Sequence, residues 1–456
     1  MAQTNSFELQ QTGVRPTQVR WAIMGWLTLV QMLTYLDRLN LSIAGKFIQD
    51  EYWFSTQTMG WILSAFLLGY ALFQIPGGWA GDRFGPRKML TAAILWWSAF
   101  TGLTAIAAQL QQSLHAARWL GVVGSLMIVR FLVGVGEAAS APNANKIVSH
   151  WMGDSHRAIG TSFTLLGIGL SGAMTPPLIT WLMQRDGWRS SFGICGAVGI
   201  LVAIGFYWFV KDRPEQHPRV NAVELALIRA GQTSATAEAS VSEQKRNAPW
   251  AKILASPSVW ALLIGYFCQG YPIYIFHTWF FIYLVRVRGL SISQGGIWGA
   301  TPYLAIVLLA PLGGRFSDYA VRRFGKRRGR QYGVWIGMLA SAALLWFGSS
   351  ASNRWTAISL LAASCGFNMF AASSFWAACI DLTQEFTASL SGLMNTFGNL
   401  GGWLSPILTA YIATHFGWQR ALGFAAVVTL VSAGCWIFVD TSTALEERQF
   451  FASPIE

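Results

Sequence analysis

The chain has 456 residues, of which 53% are hydrophobic and only 11% are charged, and its mean hydropathy is +0.41. Because soluble proteins carry about 25% charged residues, this composition excludes an ordinary soluble domain and indicates a membrane protein with many spans. The formal net charge of +12 would favour nucleic-acid binding in a soluble protein, but its distribution along this chain gives it another meaning.

Windows of roughly 20 apolar residues predict an all-α membrane protein with twelve transmembrane helices. These spans lie at 20–45, 58–80, 88–109, 119–147, 157–183, 189–210, 257–285, 293–317, 331–350, 355–380, 386–414 and 419–440. Twenty Lys and Arg residues fall at the termini and in the loops on the same side, against eight in the opposite loops. Since cytoplasmic loops carry the basic excess, we predict a multi-pass protein of the inner or plasma membrane with both termini cytoplasmic. The positive charge therefore reports topology, and we expect no nucleic-acid partner.

The first span carries two neighbouring charges, Asp37 and Arg38, where a charge costs on the order of 2.5–3.5 kcal/mol. Adjacent helical residues point about 100° apart, so the two side chains face different surroundings. Burial favours a neutral carboxyl group and a nearby guanidinium favours the charged form. We therefore expect Asp37 to take up and release a proton and Arg38 to face an anion or a partner acid. A structural bridge from each residue to another helix is the alternative.

A short motif follows the second span and recurs after the eighth. The first copy is Gly77-Gly78-Trp79-Ala80-Gly81-Asp82-Arg83-Phe84-Gly85-Pro86-Arg87-Lys88, and the second is Gly313-Gly314-Arg315-Phe316-Ser317-Asp318 with Arg322-Arg323-Phe324-Gly325-Lys326. Repeated halves around a midplane site are typical of secondary transporters. We predict two pseudo-symmetric six-helix halves, flanked and joined by polar segments: N-terminus 1–19, first half 20–210, linker 211–256, second half 257–440 and C-terminal tail 441–456.

The fourth span also carries two charges, Arg130 and Glu137, two helical turns and roughly 10 Å apart on one face. A guanidinium stays charged and binds carboxylates through two hydrogen bonds, so Arg130 is the expected ligand of an anionic substrate. Glu137 is the expected proton switch, which pairs with Arg38 when deprotonated and releases it when protonated. The alternative is an Arg–Glu pair that only holds the first and fourth spans together.

These motifs resemble those of a known family. Segment 77–88 is similar to the signature between helices 2 and 3 of the major facilitator superfamily, and 313–326 is similar to the copy in its second half. Tyr35-Leu36-Asp37-Arg38-Leu39-Asn40-Leu41-Ser42, Gln74-Ile75-Pro76-Gly77-Gly78 and Arg130-Phe131-Leu132-Val133-Gly134-Val135-Gly136-Glu137-Ala138 resemble the anion:cation symporter family. That family includes bacterial galactonate, glucarate, hexuronate and phthalate permeases, sialin and the vesicular glutamate transporters. The resemblance implies the major facilitator fold and transport by alternating access.

The resemblance and the positions of the side chains together give the candidate site. Substrate contacts are expected from Arg130, Arg38, Tyr35, Tyr70, Ser373, Trp376 and Asn395, and proton coupling from Asp37 and Glu137. Asp82, Arg83, Arg87 and Asp318 are expected to form a cytoplasmic latch that opens during transport. For each aromatic residue, packing alone is the alternative. His277, within the seventh span, is more simply a histidine satisfied by a neighbour.

The predicted function is proton-coupled import of a small organic carboxylate. The substrate is a sugar acid such as a hexonate or hexuronate, or an aromatic carboxylate, which the glycines of the fifth span favour. Protons are the coupling ion, and no cofactor or metal is expected. The expected partners are the substrate and the lipid bilayer, with a monomeric chain that is not an enzyme. An organic-anion exchanger or facilitator without proton coupling is one alternative, and a non-transporting membrane sensor is another.

Overall fold

The computed structural model describes residues 15–107, 109, 121–152, 157–230, 250–383 and 387–442, which form helices and short connections. Of the predicted termini, linker and tail, 1–14, 231–249 and 443–456 lie outside the described residues. Sixteen α-helices are described, with a 3₁₀ turn at Pro214–Gln216: α1 Val19–Tyr52, α2 Thr56–Phe84, α3 Pro86–Thr104, α4 Gly121–Glu137, α5 Ser140–Trp151, α6 Arg157–Phe209, α7 Ala222–Ala230, α8 Trp250–Ala255, α9 Pro257–Thr278, α10 Phe280–Arg286, α11 Ile292–Trp298, α12 Thr301–Phe324, α13 Lys326–Ser350, α14 Arg354–Leu382, α15 Thr387–Phe416 and α16 Trp418–Cys435.

Several helices are long and apolar enough to cross a membrane. Within the described part of the chain, seven helical stretches meet that condition: Thr56–Gly81, Gly121–Trp151, Leu166–Phe209, Pro257–Thr278, Ile292–Phe324, Lys326–Ser350 and Arg354–Leu382. The stretch Leu166–Phe209 includes parts of two predicted spans. The chain bends between them at Gly187, whose φ of 80° lies outside the helical region.

Three predicted spans are each divided into two helices. The fourth is broken after Glu137, the seventh at Trp279, and the eighth between Trp298 and Thr301. At each break the backbone stays in or near the right-handed helical region, as at Trp279 with φ −107° and ψ −17°. A hydropathy window therefore sees one continuous apolar run and does not mark the break within the span.

The two copies of the Arg-Phe-Gly motif adopt the same backbone turn. Gly85 ends α2 with φ 90°, and Gly325 ends α12 with φ 80°. A positive φ of this size is tolerated well only by glycine, so each motif turns the chain sharply from one helix into the next. The repeat read from the sequence is thus a repeat of local structure.

Contacts divide the chain into two compact units. Unit 1 consists of Met1–Asp37, Gly69–Gly172 and Arg189–Arg246, and unit 2 of Arg38–Leu68, Ala173–Trp188 and Asn247–Glu456. In unit 2 the last part of α1 and the first part of α2 pack against later helices. The hydroxyl of Ser42 donates to the carbonyl of Thr278 at 2.7 Å, and Ser64 donates to the carbonyl of Trp403 at 2.8 Å. Residues 38–68 are therefore structurally part of unit 2.

In unit 1 the linker helix α7 is fastened to the start of α1. The buried carboxylate of Glu224 accepts hydrogen bonds from the backbone amides of Val19 and Arg20, both at 3.1 Å. Asn221 donates from Nδ2 to the carbonyl of Arg15 at 2.8 Å. Because the first amides of a helix have no partner within it and its N-terminus is electropositive, Glu224 caps α1 through a contact that no local pattern predicts.

Candidate functional site

Three of the four charges in the predicted site lie together in unit 1. Asp37, Arg130 and Glu137 are 2%, 1% and 0% exposed. The Asp37 carboxyl group interacts electrostatically with Glu137 and Arg130, and it also interacts with the side chain of Thr101 on α3. Two carboxyl groups and one guanidinium thus occupy the same buried region. Thr101 could not be singled out from the sequence, because threonine is common in transmembrane spans.

Small residues allow the helices that carry these charges to approach closely. A Cβ atom added at Gly69 on α2 would lie 2.3 Å from the carbonyl oxygen of Phe131, one residue after Arg130. At Gly136, next to Glu137, it would lie 2.6 Å from the Trp96 ring of α3. Trp96 also donates from Nε1 to the carbonyl of Leu132 at 2.8 Å. Backbone contact between α2, α3 and α4 therefore fixes the depth of Arg130 and Glu137.

Glu137 is the last residue of α4, and the break that follows is held by a buried amide. Asn143 on α5 donates from Nδ2 to the carbonyl of Ala139 at 2.7 Å and to that of Gly77 at 3.1 Å. Gly77 belongs to the motif at the end of α2, so the motif and the break after Glu137 share a hydrogen-bonded side chain. Discontinuous helices commonly line the binding sites of transporters, and Asn143 is a residue that sequence reasoning missed.

Arg38 has a separate environment in unit 2. Its guanidinium lies over the Phe66 ring, 5.0 Å from the centroid, and it interacts electrostatically with His277. His277 stacks on Tyr303 with ring centroids 5.6 Å apart and meets the edge of Tyr274 at 5.3 Å. Asp37 and Arg38 thus have different neighbours, as expected for adjacent residues on a helix, and the His277 imidazole packs between two aromatic rings.

The predicted substrate contacts from the second half also lie in unit 2. Ser373 donates to the carbonyl of Ala310 at 3.4 Å, and Trp376 donates from Nε1 to the hydroxyl of Tyr266 at 3.1 Å. Asn395 accepts through its backbone carbonyl from Nδ2 of Asn399 at 2.9 Å. The hydroxyl of Ser373 and the indole of Trp376 thus both have protein partners that a ligand would have to share or replace.

The two predicted tyrosine contacts lie in unit 1. Tyr35 is half-buried on α1, two residues before Asp37, and Tyr70 is buried on α2 beside Gly69. Both side chains therefore belong to the helices that bring the unit 1 charges together.

The predicted latch residues have defined partners except for Asp82, whose side chain lies outside what the structure describes. Arg83 lies over the Trp79 ring at 5.5 Å. Arg87 donates from Nε and Nη2 to the carbonyl of Tyr207, at 3.0 and 2.7 Å, and its backbone amide donates to Asp212 at 2.7 Å. The first motif is thus connected to the end of α6 and the beginning of the linker.

The second motif is bound to a residue that the sequence did not single out. Asp318 accepts from Nη1 of Arg330 at 3.1 Å, and the same Nη1 lies 2.9 Å from the hydroxyl of Ser317. Nε of Arg330 donates to Asp381, at the end of α14.

Across the residues that the structure describes, no group of three or more His, Cys, Asp or Glu is arranged to hold a metal ion.

Comparison with known proteins shows to which family this chain belongs. The model of the Major Facilitator Superfamily matches residues 27–406. A probable galactarate/D-glucarate transporter of Bacillus subtilis is 32% identical over 408 residues, covering 88% of each chain, and a probable sulfoacetate transporter of Cupriavidus necator is 30% identical over 403 residues, covering 88% of this chain and 89% of its own. The hexuronate transporter of Bacillus subtilis is 31% identical over 396 residues, covering 86% of this chain and 87% of its own.

Solved structures show the same fold at low sequence identity. The inward-facing, unoccupied structure of a bacterial homologue of the human lysosomal transporter Spinster superposes with a TM-score of 0.74 at 19% identity, covering 94% of this chain and 98% of that one. The inward-open xylose transporter XylE of Escherichia coli gives 0.71 at 17% identity, with 95% and 99% covered. These matches confirm the predicted all-α fold of twelve transmembrane helices in two six-helix halves. The protein is a multi-pass membrane transporter and not an enzyme, and the chain belongs to the major facilitator superfamily, with the predicted resemblance to its organic-anion transporters confirmed.

Proposed function

We propose that this transporter imports a small organic carboxylate together with protons. The observation that carries the proposal is the buried group of Asp37, Arg130 and Glu137 in unit 1, in which two carboxyl groups interact around one guanidinium. One guanidinium neutralises one negative charge, so the second carboxyl group is stabilised best when it is protonated. The cluster therefore has a chemical reason to bind and release a proton.

The balance of charges around Arg130 also links proton binding to substrate binding. Arg130 presents the geometry that binds a carboxylate through two hydrogen bonds, but its charge is already shared with Asp37 and Glu137. A substrate carboxylate adds a further negative charge and is favoured when the protein carboxyl groups are protonated. Proton uptake and anion binding at Arg130 thus support each other, as coupled transport in one direction requires.

The class of substrate is supported by the relatives. Their names denote transporters of galactarate, D-glucarate, hexuronate and sulfoacetate, all of which are small organic anions. Arg38, Ser373, Trp376 and Asn395 supply cationic, hydroxyl, indole and amide groups in unit 2, and Tyr35 and Tyr70 supply phenols in unit 1. We propose that these residues contact the anion, with Asp37 and Glu137 as the proton-carrying groups.

Uptake by reconstituted protein tests the function. Liposomes containing the purified transporter, with an acidic exterior and a neutral interior, are offered labelled glucarate, hexuronate, sulfoacetate or benzoate in parallel. We expect at least one anion to accumulate above its external concentration and a protonophore to abolish that accumulation. Equilibration that is unaffected by the proton gradient would support the facilitator or exchanger instead, and binding without flux would support the sensor.

We also propose that the protein lies in the inner or plasma membrane with both termini in the cytoplasm. The support is the excess of Lys and Arg at the termini and in the loops on their side. Inward proton flow across an energised membrane then drives uptake, since each charge moved contributes about 2.3 kcal/mol per 100 mV. Accessibility of single cysteines placed in the loops on intact cells tests this orientation.

A further inference from the structure

Unit 2 contains a cavity of about 710 Å³ away from all the residues discussed above. It lies where α13 and α15 end and α16 begins, and its lining includes Trp346, Phe416, Arg420, Phe424 and Val427. All three helices correspond to predicted transmembrane spans, so the cavity lies at the boundary between the hydrocarbon and the water. On the predicted orientation this boundary belongs to the outer leaflet.

The deeper wall of the cavity is apolar and open. Trp346 is 54% exposed, Phe424 38% and Val427 49%, and all three lie within predicted transmembrane spans. Gly423 leaves room beside them, since an added Cβ would lie 3.5 Å from the Trp346 ring. Exposed rings and branched side chains on both sides of a gap give an acyl chain a surface to pack against.

The mouth of the cavity is polar and positively charged. Arg420 is exposed, and its guanidinium lies over the Phe416 ring, 6.0 Å from the centroid. No carboxylate of the described residues pairs with Arg420, and the residues that line the cavity include no Asp or Glu. The guanidinium is held beside an aromatic ring and keeps its hydrogen-bond donors available, which suits a phosphate group.

The mouth is also held in place by hydrogen bonds. Gln419 donates from Nε2 to the hydroxyl of Ser350 at 3.3 Å, which joins the beginning of α16 to the end of α13. Arg288 donates to the carbonyls of Ala351 at 2.7 Å and Gly348 at 3.1 Å, so the last carbonyls of α13 are satisfied. The cavity therefore keeps its shape without depending on a ligand to order its rim.

We propose that this cavity binds an anionic phospholipid, with the phosphate at Arg420 and an acyl chain between Trp346, Phe424 and Val427. The charge of the mouth selects a headgroup with a net negative charge, and the apolar wall selects a molecule with a chain. An arginine at the headgroup level can bind a lipid phosphate through its planar set of hydrogen-bond donors. A soluble phosphate would satisfy only the mouth and would leave the exposed rings facing open space.

Lipid binding to the purified full-length protein tests the proposal. Native mass spectrometry measures the fraction of protein that carries one dioleoyl phosphatidylglycerol or one dioleoyl phosphatidylcholine at equal concentrations. We expect the wild type to prefer phosphatidylglycerol and Arg420→Gln to bind it about five-fold more weakly, as for the loss of one basic residue near anionic lipid. Arg354→Gln is the matched control, because Arg354 is also exposed and lies over a ring, that of Trp355, at 5.1 Å.

Two further experiments test the acyl-chain site and the phosphate site separately. Gly423→Leu fills the apolar wall and is expected to weaken both lipids while Arg420 remains, and inorganic phosphate in excess is expected not to displace phosphatidylglycerol. Equal binding by wild type and Arg420→Gln would overturn the headgroup assignment. Displacement by inorganic phosphate, or unchanged lipid binding by Gly423→Leu, would overturn the assignment to a lipid. Thermal unfolding without lipid establishes that each variant is folded.

Discussion

The guanidinium of Arg330 donates a hydrogen bond from Nε to the carboxylate of Asp381 at 2.9 Å, which joins α13 to α14. Arg330 also pairs with Asp318 of the second motif on α12, so one side chain connects three helices of unit 2. The two ion pairs differ in solvent exposure: the side chains of Arg330 and Asp381 are 12% and 11% exposed, whereas that of Asp318 is 65% exposed. Arg330 therefore has two carboxylate partners that differ in exposure: Asp381, which is nearly buried, and Asp318 of the motif, which is exposed.

This difference predicts unequal costs of mutation. Asp381→Asn is expected to lower the free energy of unfolding by about 1–3 kcal/mol, because it leaves a poorly solvated guanidinium without its closest carboxylate. Asp318→Asn is expected to cost less than about 1 kcal/mol, as is usual for an exposed pair. Thermal unfolding of the purified variants measures both. A larger shift for Asp318→Asn would show that the exposed pair dominates.

A second prediction concerns the packing of α2 on α15 in unit 2. A Cβ atom added at Gly60 would lie 2.7 Å from the carbonyl oxygen of Pro406 and 3.1 Å from Cβ of Ala410. Gly60→Ala is therefore expected to destabilise the protein by about 1–3 kcal/mol through overpacking. Gly25→Ala is the control, since no atom lies within 4 Å of its added Cβ. Similar unfolding midpoints for the two variants would contradict the close approach.

A third prediction concerns pH. His217 follows α6, packs against the Phe209 ring at 5.3 Å, and accepts at Nδ1 from the backbone amide of Arg219 at 3.2 Å. Burial lowers the pKa of His217, and the positive charges of Lys211 and Arg219 lower it further, against smaller opposite effects of a hydrogen bond with the backbone of Phe209 and of the Glu224 carboxylate. The folded protein therefore holds the imidazole neutral at pH values at which the unfolded chain binds a proton.

The sign of the effect follows from that difference. Stability rises with pH wherever the unfolded state binds more protons, so the contribution of His217 is lost as pH falls below about 6.5, the ordinary pKa of histidine. We expect the unfolding midpoint of the wild type to fall more steeply between pH 7.5 and pH 5 than that of His217→Asn. Parallel curves for the two proteins would show that this imidazole is not held neutral by the fold.

A fourth prediction separates the charge of Arg130 from its shape. Arg130→Lys keeps a positive charge but loses the planar group that binds a carboxylate at two points. We expect about ten-fold or greater loss of affinity for the transported anion, as for one hydrogen bond to a charged group. Isothermal titration with the anion identified by the uptake assay measures the loss. Arg185→Lys, at a side chain that is 67% exposed, is expected to bind as the wild type does, and wild-type affinity in Arg130→Lys would remove Arg130 from the substrate site.

Much of the fold could be predicted from the sequence because its signals are local. Hydropathy marks the helices, and Arg-Phe-Gly marks the turns at Gly85 and Gly325, where only glycine adopts the required φ easily. The spacing of Arg130 and Glu137 places them on one helix face without any knowledge of other helices. Buried charges are costly enough to be noticed individually, and the structure confirms that Asp37, Arg130 and Glu137 are all buried.

The remaining features depend on contacts between distant parts of the chain. Asp381 meets Arg330 across 51 positions and Glu224 meets Val19 across 205, and no periodicity connects such residues. The breaks after Glu137 and at Trp279 occur inside uniformly apolar segments, so hydropathy does not reveal them. Thr101 and Asn143 act through residues on other helices, the Asp37 carboxyl group and the Gly77 carbonyl, and neither contact is visible from the local sequence.

Transport by Glu137→Gln in liposomes tests whether Glu137 carries a coupling proton. Glutamine keeps the size and hydrogen-bonding capacity of a protonated carboxyl group but cannot release a proton. The measurement compares two fluxes in one preparation: exchange of labelled for unlabelled substrate without a gradient, and uphill accumulation under an inward proton gradient. We expect exchange to persist and accumulation to be lost in Glu137→Gln, and accumulation to the wild-type level would show that Glu137 does not carry the coupling proton.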